Sequence, residues 1–201
     1  MSAPAIGHAT SGTPALLGRV PGVAIVLALL LLGFGFSHPN FFSLANLSNI
    51  VVQTTILLLI ALPMTLIIMT EGLDLSMGAV LTLASIVLAL VTLASGSALL
   101  GVAAGLAVGL GFGLLNGSLV AFANIPPFIA TLGTLGVAQG LSLVVTDGQS
   151  VVGIPDSIAA VYSGTVLGLP VPIVIAIVAY ALVHALLYHT RFGTYVFALG
   201  G

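Results

Sequence analysis

The sequence predicts an all-α fold, a polytopic membrane helix bundle with about six transmembrane helices, on three observations. Only six of its 201 residues carry a formal charge: Arg19, Glu71, Asp74, Asp147, Asp156 and Arg191. Ordinary soluble domains are about 25% charged, so 3% charge beside 60% hydrophobic residues leaves too little to keep a water-facing surface dispersed. Second, 51 residues without a charge separate Arg19 from Glu71, and 72 more run from Leu75 to Thr146. Each exceeds the roughly 20 residues that cross a bilayer core, so each holds more than one span. Third, segments such as Ala24 to Leu32 show none of the polar–apolar alternation of a barrel strand. A spanning backbone must pair its own polar groups, and the choice falls on helices.

These observations also exclude function classes. A water-soluble enzyme, a disordered chain and a nucleic-acid binder, which needs many cations for phosphate, are all incompatible with the composition. With no cysteine there is no disulfide framework, thiolate metal site or cysteine nucleophile.

Polar, proline and glycine punctuation divides the chain. Residues 1–19 form a polar tail, read as cytoplasmic, and a first helix covers about 20–36 until Ser37-His-Pro-Asn40 breaks it. No small-x-small cleavage site follows Phe36, so this span is an uncleaved anchor. Phe41 to Asn49 reads as a short interfacial segment, because Ser43, Asn46, Ser48 and Asn49 interrupt it. Further helices are expected at about 50–70, 77–94, 99–123, 127–146 and 169–189, with an external loop from Asp147 to Leu167. Arg19 precedes the first helix and Arg191 follows the sixth; an even number of spans puts both on one face, cytoplasmic by the positive-inside rule. The Glu71–Ser76 break then lies at or towards the inner side.

Three groups of residues invite roles. Gly101, Gly105, Gly109, Gly113 and Gly117 recur at a strict spacing of four, a row that lets a neighbouring helix approach closely in lipid. Packing and a thin wall along a substrate path are the two readings of it. Glu71-Gly-Leu-Asp-Leu-Ser-Met-Gly78 places two carboxylates between the second and third expected helices. It is either a solvated loop or a lined turn beside a pathway, because intramembrane acids mark pathways. Gln139, Ser142 and Thr146 fall at i, i+3 and i+7 on one helix face. They either satisfy themselves locally or present uncharged donors and acceptors to a neutral polar solute. The four histidines form no metal motif; His184 and His189, five apart, do not share a helix face. Nothing in the sequence singles out a catalytic group, and no metal site is expected.

In order, Asn40-Phe-Phe-Ser-Leu-Ala-Asn46, Glu71 to Gly78, Asn116-Gly117, Ile125-Pro-Pro-Phe-Ile-Ala-Thr-Leu-Gly133, Gly140, Gly148-Gln149, Thr190-Arg-Phe-Gly193 and Ala198-Leu-Gly-Gly201 make a recognisable series. Over 40–201 the chain resembles the membrane permease subunits of ribose-type monosaccharide ABC importers. The resemblance implies a transport subunit without bond chemistry, about ten helices when complete, and alternating access for a sugar such as ribose. It implies a cytoplasmic ATPase subunit as partner, with ATP bound there and no cofactor on this chain. It also implies a second permease copy or homologue, a periplasmic or lipid-anchored sugar-binding protein, and a place in the bacterial inner membrane among its lipids. With the helix-face argument, it makes Gly72, Asp74, Ser76, Gly78, Asn116, Phe128, Thr131, Gln139 and Ser142 the expected translocation pathway. Arg191, Phe192, Gly193, Gly200 and Gly201 would be ATPase-proximal, leading into a coupling helix. The chain stops where that helix should begin, so residues 20–201 read as a C-terminally truncated permease domain that does not transport alone. Glu71 stands where the family usually carries glycine. The rival from another class is an ion-coupled secondary transporter of a small polar solute using Glu71 or Asp74.

Overall fold

In a computed structural model the chain is all-α apart from one two-residue hairpin. The structure describes residues 22–200. The tail of residues 1–19 with Arg19, the first two residues of the first expected helix, and Gly201 lie outside the described residues. The chain divides into two compact units, Met1–Ile50 and Val51–Gly201.

In the first unit, α1 (Gly22–Ser37) is a continuous apolar helix of 16 residues. The chain turns at His38 to Ser43, and α2 (Leu44–Met69) then begins. Phe41 stacks on Phe34 at 5.9 Å and meets Phe42 edge-on at 5.0 Å. Ser43 Oγ accepts from the Asn46 N–H at 3.2 Å, and Asn46 Nδ2 donates to the Phe41 carbonyl at 2.7 Å. Ser43 thus satisfies one of the N-terminal donors that a helix leaves unpaired, and the Asn46 amide satisfies a carbonyl of the turn before it. The residues expected as an interfacial segment thus open α2 itself, six residues ahead of its expected start. Asn46, Ser48 and Asn49 interrupt the hydropathy of this stretch without interrupting its helix.

In the second unit α2 runs to Met69. It ends on Glu71, held in the left-handed conformation (φ 58°), with the Gly72 N–H returning to the Ile67 carbonyl at 3.0 Å. A side chain there is disfavoured, so Glu71→Gly is expected to stabilise the fold by about 0.5–1 kcal/mol. Glu71→Val should destabilise it, both read from denaturant unfolding in detergent micelles.

Then come α3 (Met77–Ser95), α4 (Ala98–Ala121) and α5 (Pro127–Thr146). Gly96 (φ 68°) closes α3, and Ser97 Oγ accepts from the Leu100 N–H to open α4. So short a link makes α3 and α4 antiparallel neighbours. Proline at the start of α5 suits a position with no helical acceptor. α3 packs most extensively on α4 and next on α5. Their shared core is Ala79, Leu83 and Ala138, with Val87, Val108, Phe112 and Leu135 around it.

The expected external loop carries structure of its own: α6 (Asp156–Ser163), then β1 (Thr165–Val166) paired antiparallel with β2 (Leu169–Pro170). Thr165 faces Pro170, and Leu167 and Gly168 both take positive φ (52° and 81°) in the turn, the geometry of a two-residue hairpin. α7 (Val171–His189) follows, and α8 (Arg191–Leu199) packs back on it. Among the described residues α2, α3, α4, α5 and α7 are long and apolar enough to cross a membrane; α1, at 16 residues, is shorter.

Candidate translocation surface

The turn between α2 and α3 is built around one carboxylate. The Ser76 N–H and Ser76 Oγ–H both donate to Asp74 Oδ1 at 2.7 Å. Asp74 therefore does the capping of α3 that Ser76, the residue at the cap position, does not do for itself. Negative charge at a helix N-terminus is favoured by the helix dipole.

A chain of buried hydrogen bonds leads inward from Ser76. Asn116 Nδ2, on α4, donates to Ser76 Oγ at 2.9 Å, and Thr134 Oγ1, on α5, lies 2.8 Å from Asn116 Oδ1 as donor. One turn away, the Leu75 N–H donates to Thr131 Oγ1 at 3.2 Å, and the Thr131 hydroxyl faces the Leu73 and Pro127 carbonyls. Ser76, Asn116, Thr131 and Thr134 are between 1% and 7% exposed. Ser76, Asn116 and Thr134 are linked side chain to side chain, and Thr131 bonds the backbone of the same turn, so the α2–α3 turn, α4 and α5 share a polar cluster inside an apolar bundle. Thr134 was not among the expected site residues.

Two openings flank α3. A groove of about 600 Å³ lies among α2, α3 and α4, with Asp74, Ser76 and Asn116 at its polar end. Its walls are apolar, including Leu59, Pro63, Leu81 and Leu106, and Gly105, Gly109 and Gly113 line it. A recess of about 380 Å³ lies between α3 and α5, lined by Gly78, Ala79, Thr82, Gln139, Ser142 and Leu143. The Ser142 hydroxyl donates to the Ala138 carbonyl and the Thr82 hydroxyl to the Gly78 carbonyl, so each oxygen keeps acceptor capacity. The Gln139 amide is exposed and makes no hydrogen bond among the described residues.

The expected pathway residues are thus not brought to one surface. Asp74, Ser76 and Asn116 meet the groove, Gly78, Gln139 and Ser142 meet the recess, and Thr131 is consumed in the buried network. Phe128 is half exposed and lines neither opening. Gly72 sits against Ile67, whose carbonyl and methyl lie 3.1 and 3.0 Å from where a Cβ would stand. Thr146 bonds the Ser142 carbonyl and is absent from the recess lining. Thr82 was missed, although its place four residues after Gly78 puts both on one face of α3.

The glycine row also divides. A Cβ on Gly101 would strike Thr92 Oγ1 and the Leu88 carbonyl, and one on Gly105 would come within 3.0 Å of the Ala84 carbonyl. At Gly109, Gly113 and Gly117 nothing stands within 4 Å of that position. At the other end, Arg191 and Phe192 are exposed at the start of α8. Gly193 is pressed on the Leu187 carbonyl, and Gly200 on the Met69 carbonyl. His184 lies between Tyr180 and Tyr188, its ring 6.0 Å from that of His189. Among the described residues no three histidines, cysteines or acids cluster as metal ligands do.

Comparison with known proteins agrees with this architecture. A family model described as branched-chain amino acid transport system / permease component matches residues 46–201. The ribose import permease protein RbsC of Escherichia coli (strain K12) is 37% identical over 182 residues, covering 88% of this chain and 56% of that protein. RbsC of Bacillus subtilis (strain 168) is 35% identical over 182 residues, covering 90% and 56%. The D-allose transport system permease protein AlsC of Escherichia coli (strain K12) is 34% identical, again over 90% and 56%. The chain therefore spans about half the length of these curated relatives. No solved structure matches it. With a matched region that takes in α3, α4, α5 and α7 and all the residues of both openings, the chain belongs to this family of membrane-spanning transport-system permease components.

Proposed function

We propose that the chain forms part of the translocation pathway of an ATP-driven importer for a neutral monosaccharide. The observation that carries this reading is the α3–α5 recess. Gln139 offers a free amide, and Thr82 and Ser142 offer hydroxyl oxygens, in a wall without a formal charge. Such a surface suits a polyol, whose hydroxyls need donors and acceptors and no counter-charge. The names of the relatives, which move ribose, allose and galactose or methyl galactoside, support the same cargo class, with ribose the first candidate. The permease performs no bond chemistry. Its task is to have two conformations that solute and nucleotide favour differently.

The partners of this reading are a cytoplasmic ATPase subunit, a second permease copy or homologue, and a binding protein that delivers the sugar. ATP belongs to the ATPase subunit. With α1 as a sixth span, the N-terminus and Arg191 at the start of α8 are assigned to the cytoplasmic face, and Arg191, Phe192, Gly193 and Gly200 to the side of the ATPase.

The test is uptake of labelled ribose, allose and galactose in bacteria lacking their own monosaccharide importers, supplied with the whole permease of which this chain forms part and with its ATPase and binding-protein subunits. ATP-dependent uptake of at least one sugar is expected. Uptake that persists without ATP and collapses with an uncoupler would instead establish ion coupling through Glu71 or Asp74.

A further inference from the structure

We infer that Asn116 and Thr134 are positioning residues that tie the Leu73–Ser76 turn to α5, so that α5 sets where the Asp74 carboxylate stands. The inference rests on hydrogen-bond geometry and does not depend on the transport reading.

Among the described residues Asp74 is held by Ser76 alone, through two bonds to one oxygen, Oδ1. Its Oδ2 accepts no hydrogen bond among the described residues, and the residue lines the α2–α3–α4 groove. What holds Ser76 therefore holds Asp74. A hydroxyl has one proton and two acceptor sites. Ser76 Oγ spends its proton on Asp74 and must accept from elsewhere, and the acceptor site is filled by Asn116 Nδ2. That orientation of the amide turns Asn116 Oδ1 towards α5, where the Thr134 hydroxyl donates to it. Donor follows donor from α5 to the carboxylate: Thr134 to Asn116, Asn116 to Ser76, Ser76 to Asp74.

A second tie runs in parallel, from the Leu75 N–H to Thr131 on the same face of α5. Both anchors, Thr131 and Thr134, sit one turn apart on α5, and Gln139 and Ser142 of the recess continue along that helix. α5 thus bears one wall of the recess at one end and holds the turn at the other. Asn116 is 7% exposed, and both ends of its amide are taken by protein. It lines the groove as a strut and not as a free contact for solute.

The chain has no cysteine, so a single one can report on the turn. Leu75→Cys, at a half-buried position of the turn, in the full chain in membranes, would be labelled with N-ethylmaleimide, which crosses lipid. Labelling increases with the fraction of time that the turn is open. Asn116→Ala and Thr134→Val are each expected to speed labelling at position 75 by about threefold, the factor that one membrane hydrogen bond of about 0.6 kcal/mol converts to. Thr134→Ser, which keeps the hydroxyl, should restore the parent rate. The double variant should be no faster than either single one, because the same chain of bonds is cut once. Cysteine at Leu99, 78% exposed beside the α3–α4 link, should label at the parent rate throughout.

Unchanged labelling at position 75 would overturn the inference. So would Thr134→Ser behaving as Thr134→Val, or Leu99 accelerating by the same factor, which would mark general loosening. Should Asn116→Ala fail to accumulate in membranes, the near-isosteric Thr134→Val and the hydroxyl-keeping Thr134→Ser decide alone.

Discussion

Replacing Gly101 by alanine is expected to destabilise the bundle by about 2 kcal/mol, the range of overpacking a close-packed interior. The same change two turns along α4, at Gly109, is expected to stabilise it by up to about 1 kcal/mol, the helix preference for alanine over glycine. The two positions belong to one row with one spacing, so the opposite signs isolate what lies across from each. A methyl on Gly101 would stand 2.6 Å from the Leu88 carbonyl and against Thr92 Oγ1. Thr92 cannot step aside cheaply, because it is 1% exposed and its hydroxyl is bonded to that same carbonyl at 2.8 Å. At Gly109 a methyl meets open space in the groove. Unfolding of the purified chain in mixed micelles, followed by helical circular dichroism, measures both. Equal effects at the two sites would mean that the close approach of α3 to α4 is not what the glycine row serves.

Gln139→Leu is expected to reduce sugar uptake by about tenfold while leaving unfolding within about 0.5 kcal/mol of the parent. Tenfold is the worth of one or two hydrogen bonds that a solute makes in transit and a leucine cannot offer. Stability should hold because the side chain is exposed and bonds nothing among the described residues. Ser142→Ala is the contrast, since its hydroxyl is already bonded to the Ala138 carbonyl at 2.8 Å and only acceptor capacity is removed. Full uptake by Gln139→Leu would remove the recess from the pathway and turn attention to the groove.

The residues that carry these predictions were unequally legible. The span limits were read from hydropathy and punctuation because insertion in lipid depends on them directly. The start of α2 was misjudged because Ser43 and Asn46 look like interruptions in a hydropathy count, while geometrically Ser43 accepts from the first turn of the helix and Asn46 donates back to the Phe41 carbonyl. α6 and β1 were read as part of one loop, and Leu169–Pro170 of β2 as the start of the helix that begins at Val171. These elements are too short to show a periodicity, and their order rests on turns such as Leu167-Gly168, where leucine gives no signal for positive φ. Asp74, Ser76 and Asn116 were picked out individually and do meet. Thr134 was passed over, because a threonine in a membrane helix can satisfy itself on its own backbone, and only the position of Asn116 shows that it also bonds across.

By itself the sequence determined the solvent and the class. Six charges among 201 residues require lipid around the chain, lipid requires self-paired backbone, and the ordered motifs place it among permease components. Which side of α3 each polar residue meets was decided only by the tertiary structure. Helical spacing says which residues share a face, but it does not say what lies opposite. α4 and α5 approach α3 from different sides, and this sends Asp74, Ser76 and Asn116 to one opening and Gly78, Gln139 and Ser142 to the other. It also makes Gly101 a contact and Gly109 a gap in what reads, along the chain, as one uniform row.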